Sequence, residues 1–324
     1  MSGGRMHGGL PPHITSKNTV GRAMLDVLLA LIPITAVSIY VHGVPAVLVI
    51  LLAMGATLAT QLVIDVILGR DKLLGDGSAG VTGLLLALCF QPYASWVSIV
   101  LAAVLAILVA KELVGGLGLN RYNPALFGRA GVLILAPLVT ALGRATGRAT
   151  PVIDGVSGAT PMMALARDME MDSAASMFFA HQGGALGEVS ALAILVGGAY
   201  LFMRGHLKWR ISAAMTASVV IVTFLAGSNP VYHVLGGGLL LGSLFMATDW
   251  TTSPVTHTGQ VLFGAGAGLL TVLIRLALPP AEGVAFAILI MNATVPALDR
   301  IKRRHGVGRR FPKAARMKIF SRTG

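Results

Sequence analysis

The chain has 324 residues, with 25 Lys and Arg against 13 Asp and Glu, for a formal net charge of +12. It is 55% hydrophobic and only 12% charged, and its mean hydropathy is +0.79. A soluble protein carries about 25% charged residues, so this composition excludes an ordinary soluble enzyme and makes lipid the solvent for much of the surface. The single cysteine, Cys89, permits no intramolecular disulfide and cannot alone hold an iron–sulfur cluster, which takes about four ligands. It reads as a small packing residue, with a cluster shared with another subunit as the alternative.

In chain order, residues 1–22 form a polar, turn-rich segment with no short apolar stretch and cleavage site, so no cleaved signal is expected. Ten apolar runs follow, at 23–42, 44–68, 79–91, 95–113, 124–142, 188–204, 209–227, 231–248, 259–278 and 281–299. A bilayer crossing takes about 20 residues. The third run is short and the eighth contains Gly236-Gly237-Gly238; interrupted spans point to discontinuous helices around a site within the membrane. The expected fold is therefore all-α: about ten transmembrane helices in two five-helix halves, 23–142 and 188–299, with broken helices. The halves are separated by a loop, 143–187, and followed by a basic tail, 300–324.

Ten of the Lys and Arg lie between Arg300 and Arg322. In a polytopic protein such a tail suits anionic lipid or a partner better than nucleic acid. With the N-terminus inside, Arg70, Lys72, Lys111, Arg121, Arg204, Lys208 and Arg210 also fall on the cytoplasmic side, and only Arg144, Arg148 and Arg167 fall in an outside loop. The positive-inside rule thus places both termini in the cytoplasm and loop 143–187 outside. Five crossings, a long loop and five more is the count expected of an inverted repeat. A weak echo supports a repeat: Gly83-Leu84-Leu85-Leu86 against Gly238-Leu239-Leu240-Leu241.

The external loop carries Asp154-Gly155-Val156-Ser157-Gly158-Ala159-Thr160-Pro161. Pro161 suits the first position of a helix and Thr160 its N-cap. A phosphate on Thr160 would meet the free N–H groups and positive dipole end of that helix. The bland reading is an ordinary capped turn. Three further polar, Gly- or Pro-broken stretches stand at 75–83, 115–125 and 246–260. They are either plain loops or the lining of a cofactor or ion site, because irregular backbone at membrane depth survives only where protein buries it or a cavity lies beside it. Asp26, Asp65, Glu112, Arg129, His233 and Arg275 are ionisable residues within the runs, where charge is costly. Lys111 and Glu112 are expected at the membrane interface and His233 as a hydrogen-bonded core residue. Arg129 is placed to neutralise an electron-rich ligand or a carboxylate, or to cap a helix pair. No cluster has metal-ligand spacing, and there is neither a nucleophile–base pair nor a nucleotide-binding loop.

Together these stretches resemble the RnfD/NqrB family, the flavin-bearing membrane subunits of Rnf and sodium-pumping NADH:quinone reductase complexes. The resemblance runs from about Pro12 to about Arg300. The short N-terminal extension, with Pro12-His13-Ile14-Thr15-Ser16-Lys17 leading into Met24-Leu25-Asp26-Val27-Leu28, is closer to RnfD. The resemblance implies ten helices in two inverted halves in a cell (inner) membrane. It implies that Ser157-Gly158-Ala159-Thr160 is the acceptor at which a flavin transferase joins FMN to the Thr160 hydroxyl, with Asp154 in the recognition stretch. It further implies partners: other Rnf membrane subunits, an external flavoprotein subunit, and cytoplasmic iron–sulfur and NADH-site subunits. The assembly would exchange electrons between ferredoxin and NAD while moving Na+ or H+. A second, non-covalent flavin such as riboflavin is expected near Asp249 if this chain also supplies the relay. An NqrB-like subunit, a small-solute channel of the ammonium or urea type, and a scaffold with an unused motif are the competing readings.

Overall fold

The computed structural model describes residues 19–70, 73–145, 173–277 and 283–303. Regular structure among them is helical throughout. The first half contains α1 (Val20–His42), α2 (Val44–Ile67), α3 (Ser78–Leu88), α4 (Trp96–Val104) and α5 (Pro124–Ala145); α4 runs on as a π-helical segment, Leu105–Glu112. After the short α6 (Ala174–Phe179) come α7 (Ala191–Met203), α8 (Trp209–Leu225), α9 (Pro230–Leu235) and α10 (Leu239–Leu241). A π-helical turn, Gly242–Met246, continues α10, and α11 (His257–Ala277), α12 (Gly283–Leu298) and α13 (Arg300–Arg303) complete the described helices. Each of the ten expected runs coincides with one of these helices or, for the eighth, with the pair α9 and α10.

Among the described residues, only α1, α2 and α11 are long and apolar enough to cross a bilayer by length and composition. Most of the others, α3 above all, are shorter than the sequence suggests. At 1.5 Å per residue, the 11 residues of α3 span about 16 Å, roughly half of a hydrocarbon core. Both short helices begin after a glycine in the left-handed region, Gly77 at φ 70 and Gly238 at φ 66, a conformation that costs other residues energy. These two glycines are the structural equivalents, six positions from the pairing of Gly83 with Gly238 that the leucine echo suggests.

Outward positions on α1 and α2 are apolar, including Leu25, Leu29, Ile32, Leu48, Leu51 and Val63, whereas Asp26, Thr57, Gln61 and Asp65 are buried. Apolar outside and polar inside reverses the soluble pattern and suits lipid as solvent. Hydroxyls within the helices fold back on their own turns, as Thr35 on Leu31 O at 2.8 Å and Thr271 on Ala267 O at 2.7 Å. This leaves no donor facing hydrocarbon at those positions. In α11, Gly264 and Gly268 let α8 approach so closely that a Cβ at either would strike the carbonyl of Ile211 or Met215. The chain is an all-α polytopic membrane protein.

The packing follows an internal repeat. In the first half α1 packs on α3, α2 on α3 and α4, α4 on α5, and α3 on α5. In the second, α7 packs on α10, α8 on α9 and α11, α11 on α12, and the π turn after α10 on α12. The halves meet first helix to first helix (α1 on α7) and fifth to fifth (α5 on α12). The same five-helix pattern is thus used twice, and the two broken third helices face each other across the seam.

Candidate functional site

Two cavities lie along that seam, and exchanging the halves exchanges their linings. The Asp249 cavity has about 510 Å³ of open space between the starts of α3 and α5 and the π turn of the second half, where Ser78, Val81, Pro124, Ala125, Phe245 and Asp249 line it. The Arg129 cavity has about 460 Å³ between the starts of α10 and α12 and the end of α3, where Gly238, Leu241, Val284, Ala285, Leu88 and Cys89 line it. The two cavities share lining segments in two places. Ala125 and Phe245 face one cavity, and their neighbours Leu126 and Met246 face the other.

The three polar stretches converge on the Asp249 cavity. The first supplies Ser78 and Thr82, the second Asn120 and Asn123, and the third Asp249 and Thr251. Asp249 Oδ2 accepts from the hydroxyls of Thr251 at 3.0 Å and Thr252 at 3.1 Å. Asn120 Nδ2 donates to Thr251 Oγ1 at 3.0 Å. Asn123 Nδ2 donates to Met246 O at 3.2 Å while its Oδ1 caps α5 through Leu126 N. Asn120 and Asn123 thus tie the second stretch to the third and line the cavity as well. Burial pushes the Asp249 carboxyl above the usual carboxylate range, against the opposing pull of the two threonine hydroxyls and Lys208. Lys208 itself donates to Ser253 Oγ at 2.7 Å, and burial lowers its ammonium from the usual value.

Lys111 and Glu112 stand at the end of their span, and their side chains turn inward, 2% and 3% exposed. The π-helical segment Leu105–Glu112 winds more residues per turn than an α-helix and turns this consecutive pair inward together. Lys111 Nζ donates to Gln61 Oε1 at 2.9 Å and Ser78 Oγ at 2.5 Å, and lies 3.4 Å from Asp76 Oδ2. Arg70 bridges Asp65 at 2.7 Å and Glu112 at 2.6 Å. Asp26 is also buried, and accepts from Tyr200, Arg204 and His206 across the α1–α7 contact. These groups join the bundle end that carries Asp249, so the basic residues Arg70, Lys111, Arg204 and Lys208 gather at one end.

The Arg129 cavity lies toward the other end. Its walls include Arg129, whose guanidinium lies 4.6 Å over the Phe90 ring, and Glu188, which accepts from Gly237 N at 3.1 Å. Behind it, the buried Arg275 donates to His233 O at 2.8 Å, Gly236 O at 3.2 Å and Gly237 O at 2.9 Å. These carbonyls lie at the break between α9 and α10, where no helical partner reaches them. His233 is the hydrogen-bonded core histidine expected, with Nε2 2.9 Å from Ser228 Oγ. Leu186 N donates to Phe90 O at 2.9 Å, which fixes the returning segment with Ala185 and Glu188 against the cavity.

Arg129 and Asp249 therefore line different cavities. Asp154, Ser157, Gly158, Ala159 and Thr160 lie outside the described residues. Among the described residues, no group of three or more His, Cys, Asp or Glu is placed to hold a metal ion. Cys89 packs against the core and lines the Arg129 cavity. Sequence reasoning gave no individual role to Asn120, Asn123 or Glu188, and placed Lys111 only at the interface. The asparagines stand in the stretch already singled out; Glu188 carries no local signal.

The family model described as NQR2, RnfD, RnfE matches residues 9–308. The chain is similar to the D subunit of the Na(+)-translocating ferredoxin:NAD(+) oxidoreductase complex of Acetobacterium woodii, at 39% identity over 89% of this chain and 91% of that protein. It is also similar to the D subunit of the proton-translocating ferredoxin:NAD(+) oxidoreductase complex of Clostridium ljungdahlii, at 34% identity over 89% and 92%. The D subunit of the ion-translocating oxidoreductase complex of Stutzerimonas stutzeri is 36% identical over 90% and 93%. With the match covering nearly the whole chain, the protein belongs to the NQR2, RnfD, RnfE family.

Proposed function

We propose that this chain is the D subunit of an ion-translocating ferredoxin:NAD oxidoreductase complex and that it carries electrons through the membrane on flavin. The observation that carries the proposal is the pair of cavities along the seam, one lined by Ala125 and Phe245 and the other by their chain neighbours Leu126 and Met246. The relatives' names support a redox enzyme complex, and all three are D subunits, which favours this reading over the NqrB-like one and over a solute channel.

The Arg129 cavity fits the ring of an FMN tethered at Thr160. It is largely apolar, open beside the backbone of Gly237 and Gly238, and bears the Arg129 guanidinium and the Glu188 carboxylate, groups that can meet the polar edge of a ring. The Asp249 cavity fits a second, non-covalent flavin: Asn120, Asn123 and Thr251 offer the amide and hydroxyl groups that recognise a polar ring edge. Bound flavin supplies electron transfer in single steps; the protein's part is to hold two rings close together, exclude water and set the local charge. A carrier at one face cannot serve a donor at the other across about 30 Å of hydrocarbon, and two cavities on one line divide that distance.

The orientation proposed has both termini and the Asp249 end in the cytoplasm, with loop 143–187 outside. The gathering of Arg70, Lys111, Arg204 and Lys208 at one end supports it. The partners proposed are a flavin transferase, other membrane subunits, an external flavoprotein subunit, cytoplasmic iron–sulfur subunits, and anionic lipid against the basic tail.

Intact mass of the chain purified from its native host tests attachment, with the expected addition equal to FMN minus water. Thr160→Ala should abolish in-gel flavin fluorescence and Thr160→Ser should retain part of it. Fluorescence undiminished in Thr160→Ala refutes attachment there. Acid precipitation separates the two flavins: covalent FMN stays in the pellet, and the second appears in the supernatant.

A further inference from the structure

Lys111 is a buried cation that a path through two flavin sites does not by itself require. An ammonium withdrawn from water is costly, and this one, with a side chain 2% exposed, is set in the wall of the Asp249 cavity near one end of the bundle. Its three nearest oxygens, on Gln61, Ser78 and Asp76, hold it in place. The uncommon π-helical segment Leu105–Glu112 brings it there, and such segments gather at functional sites. An amide could bond Ser78 and Gln61; the ammonium also offsets Asp76 at 3.4 Å and Glu112 at 3.7 Å, and it does so on the cavity wall.

We propose that Lys111 is the fixed positive charge of this cavity and that it makes a ring held there easier to reduce. Its field favours the electron-rich form of any group beside it. The remaining charges facing it from every packed element are Asp65 and Arg70 at the end of α2, Asp76 before α3, Glu112 beside it, and Asp249 across the cavity. Of these, Arg70 is bound by Asp65 and Glu112, and among the described residues Lys111 alone is a cation on the cavity wall. With flavin held in both cavities, one electron would pass between the two rings, one ring oxidised as the other is reduced, with no bond made or broken. The inference rests on the reading of the Asp249 cavity as a flavin site.

The test uses the whole complex and spectroelectrochemical titration of the acid-extractable flavin, with Lys111→Met and Lys111→Arg beside the wild type. The expected result is a more negative midpoint in Lys111→Met, a midpoint near wild type in Lys111→Arg, and an unchanged midpoint for the covalent flavin in both. Extractable flavin retained in Lys111→Met at an unshifted midpoint overturns the assignment to Lys111 while leaving the flavin site standing. Loss of the flavin from Lys111→Met assigns the lysine to retention and also overturns it. Absence of extractable flavin from the wild-type complex overturns the flavin site and this inference together.

Discussion

Replacing Arg275 by leucine should loosen one segment far more than the rest of the bundle. The guanidinium donates three hydrogen bonds to the carbonyls of His233, Gly236 and Gly237. Leucine makes none of them and leaves the carbonyls dry, because the break between α9 and α10 lacks helical partners and the site is buried. Stranding a buried acceptor costs about 1–3 kcal/mol, so three at the low end cost about 3–5 kcal/mol. Relief of the buried guanidinium offsets part of the loss. At about 1.4 kcal/mol per factor of ten, amide protection across 230–246 should fall by roughly two to three orders of magnitude. Hydrogen exchange on the detergent-solubilised complex reads this directly. Protection on α2 and α4 should change little, since both pack within the first half. Arg275→Lys should recover part of the loss, because one ammonium cannot span three carbonyls. Protection within tenfold of wild type in Arg275→Leu would refute the reasoning and show that water already reaches the break.

An impermeant thiol reagent applied to intact cells should label Ala174→Cys and miss Ala315→Cys, both in a Cys89→Ala background; the reverse pattern would invert the proposed orientation. Asp76 should contribute stability that resists acid. Burial raises its carboxyl, but the Lys111 charge and the Ser78 hydrogen bonds outweigh that and hold it below the usual carboxylate range. A carboxyl lowered in the folded state stabilises above its unfolded value and loses that contribution as pH falls through the folded value. The gap in unfolding midpoint between wild type and Asp76→Asn should thus be constant from about pH 5 to 8 and close only below about pH 4. A gap that closes between about pH 5 and 7 would mean that the pair is not formed.

The ten apolar runs were legible because lipid demands long hydrophobic stretches and tolerates little else. The polar stretches were legible as a set, because glycine and proline punctuate them, and they do meet at one cavity. The inward turn of Lys111 and Glu112 was not legible. A π segment adds residues to a turn without changing the hydrophobic period enough to show in one chain. Nor could spacing reveal that Arg129 and Asp249 belong to separate cavities, since that depends on which way α5 and the Gly242–Met246 turn face after packing. Arg275 was legible as a costly charge, but its partners are carbonyls about forty positions away, and carbonyls carry no residue identity.

The shared wall makes the two cavities mechanically one object. Protein interiors are packed as densely as organic crystals, so a displacement of Phe245 toward its cavity draws Met246 away from the other, and Ala125 and Leu126 behave alike. Filling one chamber therefore reshapes its neighbour, and by thermodynamic reciprocity the second occupant acts on the first with equal strength. A substitution chosen to enlarge one chamber will register in the affinity of the other, so neither chamber can be retuned while its twin stays fixed.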